Sequence, residues 1–274
     1  MPYRYGHYFV GLVLLVILGG FWASYFAPIG EVPLAFHVHA LTAMSWLGLL
    51  IVQSVTIHAR KNAIHKVLGK ASFVMFPLLI AGFVMIINVS AARFAARENP
   101  FIAVLGPAFG IGMAIAITAY LTLFYLALRN RRTTKLHAGY MLATPMILFE
   151  SPFSRLMEAA FPWMNVIGSE GPRAVLDTIV ISNALVAVLA MGLYFMDRRN
   201  GAPWLVATFF VVLQSVVMWF APDMPGLGRV FSDYAAAPPA LMVALGLLAG
   251  GAAGYLGWIG GRQTKRPVTG TTPS

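Results

Sequence analysis

Eight long apolar runs, separated by short polar segments, organise the chain. A bilayer-spanning helix needs about 20 apolar residues, and only helices or closed barrels cross a bilayer because lipid satisfies no backbone hydrogen bonds. The pattern therefore predicts an all-α integral membrane bundle of about eight transmembrane helices, forming one domain over residues 1–262. The segment 263–274 is rich in Pro, Thr and Gly and is expected to be a disordered tail. The apolar runs cover residues 8–27, 36–57, 70–92, 102–128, 138–160, 174–196, 203–221 and 238–260.

The composition agrees with a membrane protein. Hydrophobic residues make up 59% of the chain and charged residues 10%, whereas soluble domains have roughly 45–50% and 25%. This excludes an ordinary soluble enzyme, a disordered chain and a nucleic-acid-binding protein. Cysteine is absent, so disulfides, iron–sulfur clusters, thiolate-bound metals and covalently attached haem are excluded as well.

Basic residues mark alternate loops of the predicted bundle. They cluster at 60–70, 129–135, 198–199 and 262–266, while the intervening segments carry isolated arginines. Cytoplasmic loops of membrane proteins carry the excess of Lys and Arg, so this asymmetry places both termini and the tail in the cytoplasm. Membrane orientation then accounts for the net charge of +10.

Several ionisable and polar residues fall inside the apolar runs, where each is a candidate functional residue because burying it in lipid is costly. The predicted orientation places five of them in the half of the membrane away from the cytoplasm: His37, His39, Arg155, Glu158 and Asp177. His39, Trp46 and Gln53 are spaced by seven and share one helix face. Two interpretations of His37 and His39 remain open. Either His37 caps the helix end while His39 is hydrogen-bonded in the core, or the two histidines are metal ligands. The candidate metal ligands for a divalent ion are His37, His39 and Glu158.

The fifth and sixth runs supply the remaining polar candidates. Glu150 lies deepest, and Arg155 forms either part of a proton-relay cluster or an ion pair with Glu158 or Asp177 that fixes helix packing. The candidate catalytic residues are Glu150, Asp177, Arg155, Gln53 and Trp46.

Two histidines open helices on the predicted cytoplasmic side. His65 and His137 each follow a basic cluster and precede a glycine, in the order His-x-x-x-Gly69 and His-Ala-Gly139. Two neutral imidazoles from separate helices form a normal axial pair for a b-type haem. The alternative is that both are loop histidines near lipid phosphates or helix ends.

The last run carries glycines every fourth residue, at Gly246, Gly250 and Gly254. Such a face lets helix backbones approach closely. It predicts packing within the chain or, alternatively, a homo-oligomer interface.

One further pattern is the order of His, Trp, Gln and Gly in the first half of the chain, which reads His37, His39, Trp46, Gln53, His65, Gly69 and His137. It resembles a group of uncharacterised bacterial polytopic membrane proteins, which implies a bacterial inner (plasma) membrane but no activity. More remotely, the chain is similar to b-type membrane cytochromes, whose histidines on different helices hold haem. The outer half lacks a histidine on a second helix to pair with His37 or His39, so the likeness does not extend to a second haem.

These observations support several functions and leave open whether the protein is an enzyme. The first is a redox protein with one haem b held by His65 and His137, propionates neutralised by neighbouring Arg and Lys, and an outer site for a quinone, proton or metal. The second is a proton-coupled transporter of a small solute or ion. The third is a metal-dependent enzyme acting on a lipid, and the fourth a subunit that binds a partner through the last helix. The transport path would follow His39, Gln53, Glu150, Asp177 and Asn183.

Overall fold

The structure is a computed structural model that describes residues 2–261, and within that range it is helical without any β-strand. The predicted tail at 263–274 lies outside the described residues. A π-helical turn, Trp22–Phe26, follows the first helix, and short 3₁₀ turns join several others. The α-helices of the described range are α1 (Gly6–Gly20), α2 (Leu34–His58), α3 (Asn62–Ala95), α4 (Pro100–Arg129), α5 (Thr134–Ala160), α6 (Arg173–Met196), α7 (Ala202–Phe220), α8 (Leu227–Ala236) and α9 (Pro239–Gly260).

Six of these helices are long and apolar enough to cross a membrane: α2, α3, α4, α6, α7 with its 3₁₀ extension, and α9. The prediction of a multi-pass, all-α membrane protein is confirmed at this level. The eight predicted apolar runs coincide with α1–α7 and α9. Of these, α1 has only 15 residues, and α5 interrupts its apolar sequence with Glu150, Arg155 and Glu158.

The helix boundaries follow local chemistry. The Asn99 side chain accepts a hydrogen bond from the backbone N–H of Ile102 at 2.9 Å, and Pro100 occupies the first helical position of α4; both are typical helix starts. Proline likewise precedes α2 and α9. The helix α3 begins at Asn62, well before the apolar run that starts at residue 70. His65 therefore lies on a helix rather than in a loop.

The helix α4 lies centrally and packs against α3, α5, α7 and α9, while α5 also packs against α1 and α6. A cluster of aromatic rings fills the core between α2, α3 and α4. The Phe76 and Phe124 rings stack at 4.0 Å between centroids, and the Trp46 ring lies 5.3 Å from Phe76. All three side chains are fully buried.

The glycine face of α9 is occupied within the chain. A Cβ atom on Gly250 would lie 2.7 Å from the backbone Cα of Pro77 in α3, and one on Gly257 would lie 2.7 Å from the backbone oxygen of Tyr125 in α4. Gly246 and Gly254 also face side chains of α3 and α4. The small residues thus bring α9 into close packing with its own bundle, and homo-oligomerisation through this face stays a prediction.

The short helix α8 lies between the seventh and eighth apolar runs, in a segment where the apolar pattern predicts a connecting loop. The Tyr234 hydroxyl donates to Asn88 Oδ1 at 2.7 Å, and Asn88 Nδ2 donates to the Pro239 backbone oxygen at 3.2 Å. The Phe231 ring packs against Phe94 and Gly110. These contacts hold α8 across the predicted outer ends of α3 and α4.

Candidate functional site

His137 has a defined orientation in the first turn of α5. Its Nδ1 lies 2.9 Å from the backbone oxygen of Ala127 in α4. Because a carbonyl only accepts, Nδ1 carries the hydrogen and Nε2 keeps its lone pair. The ring therefore presents an unprotonated nitrogen that can bind a metal or accept a proton.

His65 and His137 belong to different helices and lie within electrostatic range of each other. The two imidazoles interact electrostatically, and His65 also interacts with the backbone of Gln53 in α2. The Nδ1 atom of His65 is buried and has no hydrogen-bond partner among the described residues. An unpaired buried polar atom costs about 1–3 kcal/mol, so this nitrogen is a candidate ligand-binding atom.

Gln53 completes the group formed by α2, α3 and α5. Its Nε2 would lie 3.4 Å from a Cβ atom on Gly69, one turn beyond His65, and its Oε1 is buried without a partner among the described residues. Four residues of the sequence pattern, Gln53, His65, Gly69 and His137, therefore meet at one end of the bundle. We call Gln53, His65 and His137 the histidine-pair site.

Charged residues fix the helix ends around this site. The Lys135 ammonium pairs with Asp197 at 2.6 Å, which ties the start of α5 to the turn after α6. Hydrogen bonds from Lys135 and Asn200 hold the pKa of the Asp197 carboxyl below its usual value. The Arg131 guanidinium lies 4.1 Å from the centre of the Trp258 ring and interacts electrostatically with His137. The end of the bundle that carries the site is thus strongly basic.

Trp46 lies apart from the histidine-pair site and joins α2 to α5. Its Nε1 donates to Thr144 Oγ1 at 3.0 Å, and the Thr144 hydroxyl donates to the Met141 backbone oxygen at 2.8 Å. Pro145 has no N–H, so Met141 lacks its helical donor and the threonine replaces it. Trp46 therefore has a packing role here. Sequence reasoning missed Thr144, although the Thr-Pro dipeptide inside an apolar run was a possible signal.

The outer histidines do not join a metal-binding group. His37 Nδ1 and the Tyr25 hydroxyl share a hydrogen bond of 3.0 Å, and the His39 ring packs on Phe83 with 4.6 Å between centroids. No group of three or more His, Cys, Asp or Glu residues within 2–261 could hold a metal ion. The structure therefore does not bring His37, His39 and Glu158 together as the predicted ligand set.

Arg155 contacts a serine and an aromatic ring, and neither is a predicted ion-pair partner. Its Nη1 donates to the backbone oxygen and the hydroxyl of Ser151, and the guanidinium lies 5.0 Å from the centre of the Phe21 ring. It interacts electrostatically with Glu150 and Glu158, yet the ion pairs of the described residues are Arg93–Glu98, Lys135–Asp197 and Arg173–Asp223. The described residues therefore contain no ion-pair contact of Arg155 with Glu158 or Asp177, and the attraction between Arg155 and Glu158 acts at longer range.

Glu150, Asp177 and Asn183 have separate surroundings. Glu150 is buried, and its carboxyl lies within electrostatic range of Arg155. Asp177 Oδ2 accepts the backbone N–H of Ser169 at 2.7 Å, which anchors the loop before α6. Asn183 donates to Gln214 Oε1 at 3.2 Å, and Gln214 donates to the Gly112 backbone oxygen at 3.1 Å. This second network joins α6, α7 and α4, and sequence reasoning had not singled out Gln214.

No model of a protein family, no curated protein and no solved structure matches the chain.

Proposed function

We propose that the protein is an eight-span membrane protein of the bacterial inner membrane that holds one haem b between His65 and His137 and transfers electrons. The observation that carries this proposal is that two imidazoles from different helices lie within electrostatic range of each other at one end of the bundle, with the His137 ring held by Ala127. The other candidate residues of the chain form no comparable pair of nitrogen ligands from two helices in the described range.

The eight spans are α1–α7 and α9, with both termini in the cytoplasm. An even number of crossings agrees with the clusters of basic residues in alternate loops. The helix α5 is shielded by α1, α4, α6 and α7, which permits polar residues that would be costly against lipid. In this orientation the histidine-pair site faces the cytoplasm.

The histidine-pair site suits haem iron in three respects. The imidazoles of His65 and His137 would hold the iron, and the hydrogen bond from His137 Nδ1 to Ala127 fixes the ring as ligating histidines are usually fixed. The nearby Lys66, Lys70 and Arg132 are exposed at the same end and can neutralise propionates. The haem would supply one-electron chemistry, while the chain supplies the ligands, their orientation and the basic surroundings.

The test is the absorption spectrum of detergent-purified protein, oxidised and dithionite-reduced, from cells supplied with ample haem. A Soret band that shifts on reduction is expected, together with loss of haem in His65→Ala and in His137→Ala. His37→Ala is the matched control, because His37 lies at the opposite end of the bundle and should leave the spectrum unchanged. A featureless spectrum, or full haem retention in both variants, would contradict the proposal, and metal analysis of the same samples would then test the metal-dependent enzyme.

Glu150 favours proton-coupled transport as a second candidate function. Its carboxyl is buried within electrostatic range of Arg155, and a carboxyl buried in a membrane protein is typical of groups that bind and release protons. Proton flux into vesicles loaded with a pH-sensitive dye would show it. Flux lost in Glu150→Gln and kept in Glu170→Gln supports transport, whereas the absence of flux from the wild-type protein excludes it.

A further inference from the structure

A small cavity with a mostly apolar lining and three polar side chains lies at the predicted outer face, between the end of α5, the 3₁₀ turn Pro162–Met164 and the first turns of α6. Its volume is about 110 Å³, and it is partly enclosed. A cavity of about 150 Å³ accommodates benzene, so this one fits a group of a few heavy atoms. Its lining residues are Met157, Glu158, Pro162, Asn165, Ala174 and Thr178.

Each of the three polar side chains of this cavity offers acceptor oxygens, and Asn165 also offers its amide N–H groups. Glu158 forms no ion pair within the described residues, although Arg155 attracts it electrostatically. The Thr178 hydroxyl donates to the Val175 backbone oxygen at 2.8 Å, which leaves its lone pairs available. The Asn165 amide oxygen has only a long contact of 3.4 Å with the Gly168 N–H. A carboxylate with two neutral oxygens favours a cationic ligand that donates several hydrogen bonds, and an ammonium group donates three.

The surroundings of the cavity place it at the depth of lipid head groups. Apolar side chains of the adjoining loop are exposed: Trp163 by 76% and Val166 by 83%. Aromatic and apolar residues at helix ends are typical of the membrane–water interface. The cavity therefore opens among residues that contact the head-group region.

An apolar groove flanks the same loop on the other side of α6. It has a volume of about 250 Å³ and is lined almost entirely by apolar atoms. The first residue of α6, Arg173, lies near it, with its guanidinium 5.9 Å from the centre of the Trp219 ring. The groove residues are Ile167, Val180, Ser215, Val216, Trp219 and Phe220.

We propose that these two features bind one phospholipid with an ethanolamine head group. The ammonium group occupies the cavity against Glu158, an acyl chain lies in the groove, and between them the phosphate faces the Arg173 guanidinium, which it shares with Asp223. Choline is excluded from the cavity because its nitrogen has no N–H and carries three methyl groups. Glycerol head groups lack the positive charge that Glu158 pairs with.

The experiment titrates the full chain in detergent with phospholipids that share the same acyl chains and differ only in the head group. Apparent affinity is read from the thermal midpoint at each lipid concentration. We expect phosphatidylethanolamine to bind about tenfold more tightly than phosphatidylcholine or phosphatidylglycerol, which corresponds to about 1.4 kcal/mol. Glu158→Gln should abolish the difference. Glu170→Gln, an exposed carboxylate outside the cavity lining, should retain it.

Equal affinity for all three lipids would overturn the proposal, as would an unchanged preference in Glu158→Gln. Asn165→Ala provides a second variant, for which a weakened preference is expected, and Glu158 itself is exposed, so its replacement should not unfold the protein. An equal response to ethanolamine dissolved in water would overturn the lipid as the source of the ammonium group. None of these outcomes depends on haem.

Discussion

Two adjacent glycines of α9 provide a direct test of the close packing between α9 and α3. Gly250 is buried, and a Cβ atom there would lie 2.7 Å from the Cα of Pro77 and 3.3 Å from its N and Cβ. Gly251 is exposed, and a Cβ atom there would meet nothing within 4 Å. Alanine at each position makes the same chemical change in the same helix turn, so the pair isolates the packing contribution.

The magnitude follows from opposing contributions. Replacing glycine by alanine in a helix interior gains about 0.8–1 kcal/mol at either position. At Gly250 the new methyl group needs roughly 3.5–4 Å from carbon but finds backbone at a shorter distance, so α9 and α3 must separate by about 1 Å. Overpacking of this kind costs about 1–3 kcal/mol. Gly251→Ala should therefore be slightly stabilising, and Gly250→Ala should be less stable than Gly251→Ala by about 1–3 kcal/mol.

The assay is reversible unfolding of the purified variants in mixed detergent micelles, followed by helix circular dichroism. The expected order of unfolding midpoints is Gly251→Ala at or above wild type, and Gly250→Ala clearly below Gly251→Ala. Equal midpoints for the two variants would refute the close approach of α9 to Pro77.

Two further predictions concern interhelical contacts. Thr144→Val should destabilise the protein by about 1–3 kcal/mol because it leaves the Trp46 indole N–H and a backbone carbonyl unpaired, whereas Thr144→Ser should remain near wild type. A double-mutant cycle of Thr144→Val with Trp46→Phe should give a coupling free energy of about 0.5–1.5 kcal/mol. A coupling free energy of zero would contradict the hydrogen bond. Lys135→Met should raise the pKa of Asp197. Because pairing with Lys135 lowers the pKa of Asp197, the ion pair stabilises the protein at pH values above the usual titration range of Asp, and this stabilisation is lost at lower pH. The thermal midpoints of wild type and Lys135→Met should therefore differ at pH 7 and converge below about pH 4, and a difference that grows on acidification would contradict this pairing.

The apolar pattern predicts the helices well because span length and hydrophobicity are local properties. It fails where a helix is amphipathic or charged. The segment 222–237 contains Pro and Gly and reads as a loop, yet Phe231 and Tyr234 secure α8 through contacts with distant residues. Similarly, α3 extends back to Asn62 through charged residues, because Lys66 and Lys70 are exposed at the end of the bundle and need no apolar surroundings.

The sequence predicts the candidate site only in part, because helical spacing is also a local property. Helical spacing places His39, Trp46 and Gln53 on one face of α2, but it does not say what each residue faces. The structure pairs Trp46 with Thr144, packs His39 on Phe83, and places Gln53 beside Gly69. These partners lie on other helices, so only the tertiary arrangement reveals them. The pairing of His65 and His137 is a hypothesis from sequence; the structure places the two imidazoles within electrostatic range of each other, and a haem between them stays a proposal.

The measurement that tests the central proposal most directly is the electron paramagnetic resonance spectrum of the oxidised, purified protein, with haem content determined on the same sample. Two imidazole ligands hold ferric haem in a low-spin state. We predict one haem per chain, a low-spin signal in the wild type and in His37→Ala, and loss of that signal in His65→Ala and His137→Ala. A protein prepared with ample haem that contains none, or a low-spin signal that survives in both histidine variants, would contradict the proposal.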